Sequence, residues 1–181
     1  SDVYKRQLLD EAKSEVRRTI AALWPFVERG VPVIGLEPSC LLTLRDEYQA
    51  LLPGEQSDGL AKNTWLLEEF LLSEMQAERL DLALRPLAQS RALVHGHCHQ
   101  KAFGALTPVR QILALVPGLE VEMIDSSCCG MAGSFGFEAE HYDASMAMAE
   151  LSLLPSLEKV DADTLVAVSY THLRAHETNV D

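Results

Sequence analysis

Four cysteines are the residues of this 181-residue chain best suited to chemistry, and three of them fall in two short motifs. HGHCHQK carries Cys98, and DSSCCGMAGSFG carries Cys128 and Cys129; Cys40, in GLEPSC, stands apart. Thiolates ligate zinc and iron–sulfur clusters and carry out disulfide exchange. SDVYKRQ, at the start, lacks the apolar stretch of a secretion signal. Without one, the cysteines read as thiols for metal or redox use, ahead of a disulfide framework. Free cysteines buried as small hydrophobes are the plain alternative. That alternative suits an adjacent pair poorly, because neighbouring residues of a strand face opposite ways.

The elements around these residues follow from periodicity and punctuation. Leu9, Ala12, Val16, Ile20, Leu23 and Phe26 recur at helical spacing and predict a helix from Leu8 to about Arg29, stopped by Gly30. Val31 to Leu36 reads as a short buried strand, with Cys40 beyond its carboxyl end. Ser39 would cap a helix running to about Leu52, PGEQSDG reads as a surface loop, and Thr64 to Leu80 as an amphipathic helix. Further on, strands are expected at Ala92–His97, Leu119–Ile124 and Thr164–Val168, with an edge strand at Leu80–Leu87. Helices are expected from about Pro108 to Val116, capped by Thr107, and from Glu138 to Leu154, which Pro155 helps to end. Met146 and Met148 read as core residues of the latter. Alternation of strands and helices indicates an α/β chain, with a largely parallel sheet and helices packed on it.

In parallel α/β sheets, ligands gather beyond the carboxyl ends of the strands, because each loop leaving a strand for its helix opens on that edge. Cys98 follows the strand ending near His97, and Cys128 and Cys129 follow the strand ending at Ile124. The three thiols should therefore face one another, although 29 residues separate Cys98 from Cys128. Gly130, Gly133 and Gly136 let the backbone wrap closely, while Asp125, Ser126 and Ser127 favour turns. A helix from Glu138 would turn its positive end toward the same space. Such a place suits an anion such as an iron–sulfur cluster, whose potential responds to N–H donors at its sulfurs. A purely structural glycine turn is the competing reading, since GxxGxxG is not the dinucleotide pattern.

His95, His97 and His99 alternate, and on an extended strand they would share one face. That admits a zinc site drawn from His97, His99, Cys98 and Cys128 or Cys129; the equal alternative is that these histidines pack beside a site they do not ligate. Lys101 adds local positive charge to a chain with 15 basic and 27 acidic residues, net −12. That balance argues against nucleic acid and anionic membrane surfaces as partners. No apolar run approaches the roughly 20 residues that span a bilayer, so no transmembrane segment is expected. The expected location is cytoplasmic, or peripheral to the inner face of the membrane.

A cysteine, a gap of about thirty residues, then CCG, a glycine-rich turn and a helix resemble the cysteine-rich CCG domain. That family supplies iron–sulfur modules to heterodisulfide reductase, to the glycolate oxidase iron–sulfur subunit, to anaerobic glycerol-3-phosphate dehydrogenase and to fused FAD-linked 2-hydroxyacid dehydrogenases. HGHCHQKA and DSSCCGMAGSFGFE look most like the last of these, and the resemblance covers Leu8 to Val168. It implies the carboxyl-terminal electron-transfer module of a flavin-dependent dehydrogenase acting on lactate, glycolate, 2-hydroxyglutarate or a similar acid. FAD would lie in a separate domain or partner subunit, electrons would pass to a quinone or another acceptor, and the chain alone would not be catalytic. Cys98, Cys128 and Cys129 would ligate a 4Fe–4S-type cluster, cubane or noncubane, with Gly130 and Gly133 shaping its pocket.

Members of that family carry two repeats, each closing with a further cysteine motif. GLEPSC resembles the closing motif of a first repeat, so that residues 8–60 would be its tail and Cys40 a metal ligand of a different cluster. Residues 61–168 would be a second repeat lacking its closing cysteine. The flanks, residues 1–7 and 169–181, resemble translated sequencing-library adapters, which would leave Tyr170, His172 and His176 without a role and the natural protein longer at both ends. The lesser alternative lets His172 or His176 complete the site. Outside the family, the rival readings are a zinc-binding protein or hydrolase using the HGHCH histidines and cysteines, and a redox-inert α/β interaction domain.

Overall fold

One stripe of α1 (Leu9–Val27) turns inward, burying Ala12, Val16, Ile20 and Val27. Steps of four and then seven residues keep these side chains on one helical face, and Leu9 and Phe26, both expected inside, fall off that stripe and are exposed. Gly30, at φ 79°, ends the segment. The computed structural model describes residues 9–133, 135–161 and 163–168; both flanks, with Tyr170, His172 and His176, and also Leu8, lie outside the described residues. The chain is α/β, and it forms two compact units that divide between Phe70 and Leu71.

In the first unit, β1 (Val33–Gly35) is shorter and less buried than expected, with Ile34 exposed. Among the described residues its one neighbour in the sheet is β2 (Thr64–Leu66), paired in parallel with Ile34 opposite Trp65. Between them run α2 (Pro38–Leu42), α3 (Glu47–Leu51) and α4 (Glu55–Lys62). Glu37, not Ser39, caps α2: its carboxylate accepts from the Cys40 N–H and from the Ser39 hydroxyl. The helix expected to reach Leu52 is interrupted by turns at Thr43–Asp46, where the Arg45 guanidinium reaches across to the Thr64 carbonyl and the Glu69 carboxylate. PGEQSDG is mostly helix rather than loop, because α4 buries Ser57 and Leu60 and tertiary burial overrides polar composition.

The same overriding moves the next helix. Thr64 to Leu66 is claimed by the sheet, and Glu69 accepts the Leu66 N–H at 2.9 Å, so α5 (Leu67–Gln76) starts late. It also ends early, where Glu78 adopts a left-handed φ of 57° and the Arg79 N–H returns to the Glu74 carbonyl. No strand forms at Leu80–Leu87; Pro86 has no N–H to give to a ladder.

The second unit is built on β3 (Arg91–His95), which pairs in parallel with β4 (Glu120–Met123) on one side and β5 (Leu165–Val168) on the other. Ala92, Leu93, Val94 and His95 are all buried, as befits a central parallel strand covered on both faces. The connections hold α6 (Cys98–Ala102), α7 (Leu106–Leu113), α8 (Tyr142–Glu150) and α9 (Leu153–Leu157). All three cysteines of this unit thus follow carboxyl ends of strands. α7 begins at Leu106 with Ala105 as its cap, which puts Pro108 inside the first turn rather than at its first position. The expected helix from Glu138 to Leu154 is divided: 3₁₀ turns at Phe135–Phe137 and Ala139–His141 precede α8, and Pro155 sits in the first turn of α9, where a missing N–H costs nothing. Met148 is exposed, and Ser145 and Ala149 are the buried face of α8. No described helix is long and apolar enough to cross a membrane.

The Glu37 cap is testable through pH. Burial pushes its carboxyl up, but hydrogen bonds from Cys40 and then Ser39 outweigh that and hold it down at about 2, against 4.5 ordinarily. A value depressed by folding adds stability that is complete above the ordinary carboxylate range and lost as pH falls toward the folded value. Glu37→Ala should therefore lower stability by about 1 kcal/mol at neutral pH, with the difference shrinking as pH drops from 4.5 toward 2. Urea denaturation of the chain followed by tryptophan fluorescence measures this, since Trp24 and Trp65 both belong to the first unit; a difference independent of pH would remove the carboxylate from the cap.

Candidate metal centre

β3 ends at His95, whose ring is fully buried with Nδ1 2.7 Å from the Ser126 hydroxyl. Burial, then the positive charge of Lys101 and the neighbouring His97, push its pKa down to about 4, so the imidazole is neutral at neutral pH. Two residues on, His97 caps α6: its Nδ1 accepts the His99 N–H at 3.1 Å, and the Gln100 side chain accepts the His97 N–H at 3.2 Å. This reciprocal cap closes the first helical turn directly at Cys98. The three histidines consequently do not share a strand face. His95 ends the strand, His97 caps the helix and His99 lies within it, its ring stacked on that of His97 at 5.2 Å.

β4 runs beside β3 with Val94 opposite Met123, and the Ile124 N–H donates to the Val94 carbonyl. Both chain segments therefore leave the sheet at the same edge. Lys101, on α6, donates its ammonium to the carbonyls of Ser126 and Ser127, the latter at 2.9 Å. The Ser127 N–H donates to the Ser152 hydroxyl at 3.1 Å. The segment so held carries the cysteine pair, and Cys98 lies close enough to it for the two to influence each other's protonation. Partial desolvation and then the neighbouring Cys128 raise the Cys98 pKa, joined by Cys129 and opposed by Lys101.

Cys98 is exposed, and Cys128 and Cys129 are half-buried. Cys129 also packs against Leu93, Ile124 and Leu153 of the core. The Gly130 N–H points at the Cys128 sulfur, 3.3 Å away. Cys40 lies in the first unit beyond β1, where its N–H donates to the Glu37 carboxylate.

Gly130 has a left-handed φ of 88°, and a Cβ there would stand 2.1 Å from the Ser145 carbonyl oxygen. α8 thus lies against the CCG turn more closely than any side chain permits. Gly133 is also left-handed, at φ 70°, but faces open space.

Three thiols at one edge, one of them receiving a backbone N–H, form a soft donor set that suits thiolate-bound metals. Buried with no hydrogen-bond partner among the described residues are His95 Nε2, His99 Nδ1 and Gln100 Nε2, of the neighbouring strand end and helix. Among the described residues, Glu138, Glu140 and His141 are the group whose ligand atoms all lie within 4.8 Å of one another, and no cysteine belongs to it. The thiols are therefore not gathered as a single zinc ion would gather them, since zinc–sulfur bonds of about 2.3 Å put tetrahedral sulfurs about 3.8 Å apart. The sequence signal for the supporting contacts was slight: a histidine is an unusual cap, and Lys101 suggested charge without a partner.

Over 158 residues the chain is 34% identical to the C-subunit of the anaerobic glycerol-3-phosphate dehydrogenase of Escherichia coli K12, covering 87% of this chain and 39% of that protein. It is 26% identical over 165 residues to the D-2-hydroxyglutarate dehydrogenase of the same strain, covering 90% of this chain and 15% of the relative. It is 29% identical over 150 residues to that of Pseudomonas putida, covering 82% and 14%. The chain thus spans about two-fifths of the length of the first relative and about one-seventh of the others. These relatives are dehydrogenases or parts of them. No family model and no solved structure matches the chain.

The two glycines separate steric from torsional strain. Gly133→Ala should cost on the order of 1 kcal/mol, for the left-handed backbone alone. Gly130→Ala should cost several times more, because the clash with Ser145 adds to it. Thermal unfolding of both variants measures the ordering, and equal losses would show that α8 does not sit as close as described.

Proposed function

We propose that this chain is the iron–sulfur electron-transfer part of a flavin-dependent oxidoreductase, with a cluster ligated by Cys98, Cys128 and Cys129. The observation that carries the reading is the parallel register of β3 and β4, which sends the segments bearing Cys98 and the Cys128–Cys129 pair off the same edge of the sheet, where Lys101 ties one segment to the other. The relatives support it from a second direction, since they are dehydrogenases or part of one. Cys40 would serve a different cluster. The fourth ligand position is left to a group other than these three thiols.

A bound cluster would supply one-electron transfer. The chain's own residues hold and tune it: the Gly130 N–H lowers the charge density on the Cys128 sulfur, and the glycine-rich turn with Gly133 lets the backbone come close. Flavin chemistry belongs to another domain or polypeptide, and the electrons pass to a quinone or other acceptor. The oxidised substrate in this reading is a 2-hydroxy acid such as 2-hydroxyglutarate, lactate or glycolate. The higher identity to the glycerol-3-phosphate dehydrogenase relative favours a second reading, in which glycerol 3-phosphate is the electron donor and the flavin sits on a separate partner protein.

Anaerobic reconstitution of the chain with iron and sulfide tests the central point. Bound iron and sulfide with a broad visible absorption band are expected. Cys98→Ser, Cys128→Ser and Cys129→Ser should each abolish most of that band, and Cys40→Ser should leave it. Tight, colourless zinc binding without iron uptake would replace the cluster with a zinc site.

A further inference from the structure

The Lys101 ammonium is held by backbone carbonyls. In a chain with 27 acidic residues, no carboxylate pairs with its ammonium among the described residues. Its donors go instead to the Ser126 and Ser127 carbonyls, and Ser126 Oγ lies 3.3 Å away. A cation solvated by carbonyl dipoles keeps its full charge, whereas an ion pair would cancel it. Lys101 also stands three residues after Cys98 on α6, hence on the same helical face. The carbonyls it binds immediately precede Cys128 in the chain. One side chain therefore links the helix that carries the first thiol to the turn that carries the other two.

We infer that Lys101 is the positioning residue of the centre: its ammonium fixes the CCG turn against α6 and sets a positive charge beside the thiols. The inference rests on the cluster reading above. Thiolates and cluster together carry net negative charge, and each added electron deepens it. A fixed cation at close range in a partly desolvated site therefore favours the reduced state and raises the potential.

The test compares the reconstituted chain with Lys101→Met and Lys101→Arg. The readouts are iron and sulfide per chain, and the midpoint potential from a redox titration followed in the visible band. Lys101→Met should lower the reduction equilibrium on the order of tenfold, about 59 mV for one electron, and lose part of its iron. Lys101→Arg, which keeps the charge, should return the potential most of the way. Should Lys101→Met not fold by circular dichroism, Lys101→Gln takes its place, keeping a donor without the charge.

A second measurement needs no cluster. In the metal-free chain, glutathione disulfide oxidises Cys98 and Cys128 to a disulfide and is itself reduced to two glutathiones. The equilibrium constant, read by mass spectrometry, reports how well the two thiols are held together, and it should fall severalfold in Lys101→Met. If wild type loads a cluster while Lys101→Met leaves both potential and disulfide equilibrium unchanged, Lys101 has no positioning role and the cluster stands. If wild type takes up no cluster, the functional reading fails, and the disulfide equilibrium still decides whether Lys101 positions the turn.

Discussion

Parallel pairing of β3 with β4 is the constraint from which the site follows. With Val94 opposite Met123, both strands end at one level, and parallel order sends both loops out at the same edge. An antiparallel pairing of the same two segments would put Cys98 and the cysteine pair at opposite ends of the sheet. The register also has a polar cost. His95 ends the central strand with no exposed surface, and a buried imidazole needs a partner. Ser126, in the loop leaving β4, supplies it, so satisfying the last residue of one strand pulls in the loop that follows the other.

What the sequence made legible was the long-range part. The three strands of the second unit, their parallel order and the sheet edge from which the segments bearing Cys98, Cys128 and Cys129 leave all follow from strand-length runs alternating with helical segments. Where prediction and structure part, a tertiary contact has overridden a local preference. Thr64–Leu66 looks like the start of a helix, but β1 pairs with it and Arg45 takes its carbonyl. Ser39 looks like a cap, but the longer Glu37 side chain reaches the free N–H groups first. PGEQSDG is polar enough for a loop, yet Leu60 is nearly inaccessible.

The histidines show the same limit at the site itself. Alternation at positions 95, 97 and 99 is a strand pattern only while the strand continues, and Gly96 ends it. From there the imidazole of His97 does what a serine or aspartate usually does at a helix start, and nothing in its residue type announces that role. The loss of a shared strand face removes one premise of the mixed histidine–cysteine zinc site.

Cys128 and Cys129 lie between two anchors. Upstream, the Ser126 and Ser127 carbonyls are held by Lys101, and the Ser127 N–H by Ser152. Downstream, Gly130 is pressed against the Ser145 carbonyl at a distance that excludes any side chain. A two-residue span fixed at both ends has few conformations left to lose when its thiols take a ligand, and ordering a free backbone costs roughly 1–2 kcal/mol per residue. Cys129 further loses freedom by packing on Leu93, Ile124 and Leu153. Cys98 is placed by a different means, at the first residue of a helix whose start is set by a two-way cap. Each cysteine is thus restrained through its backbone, so a ligand taken up there would have less chain left to order.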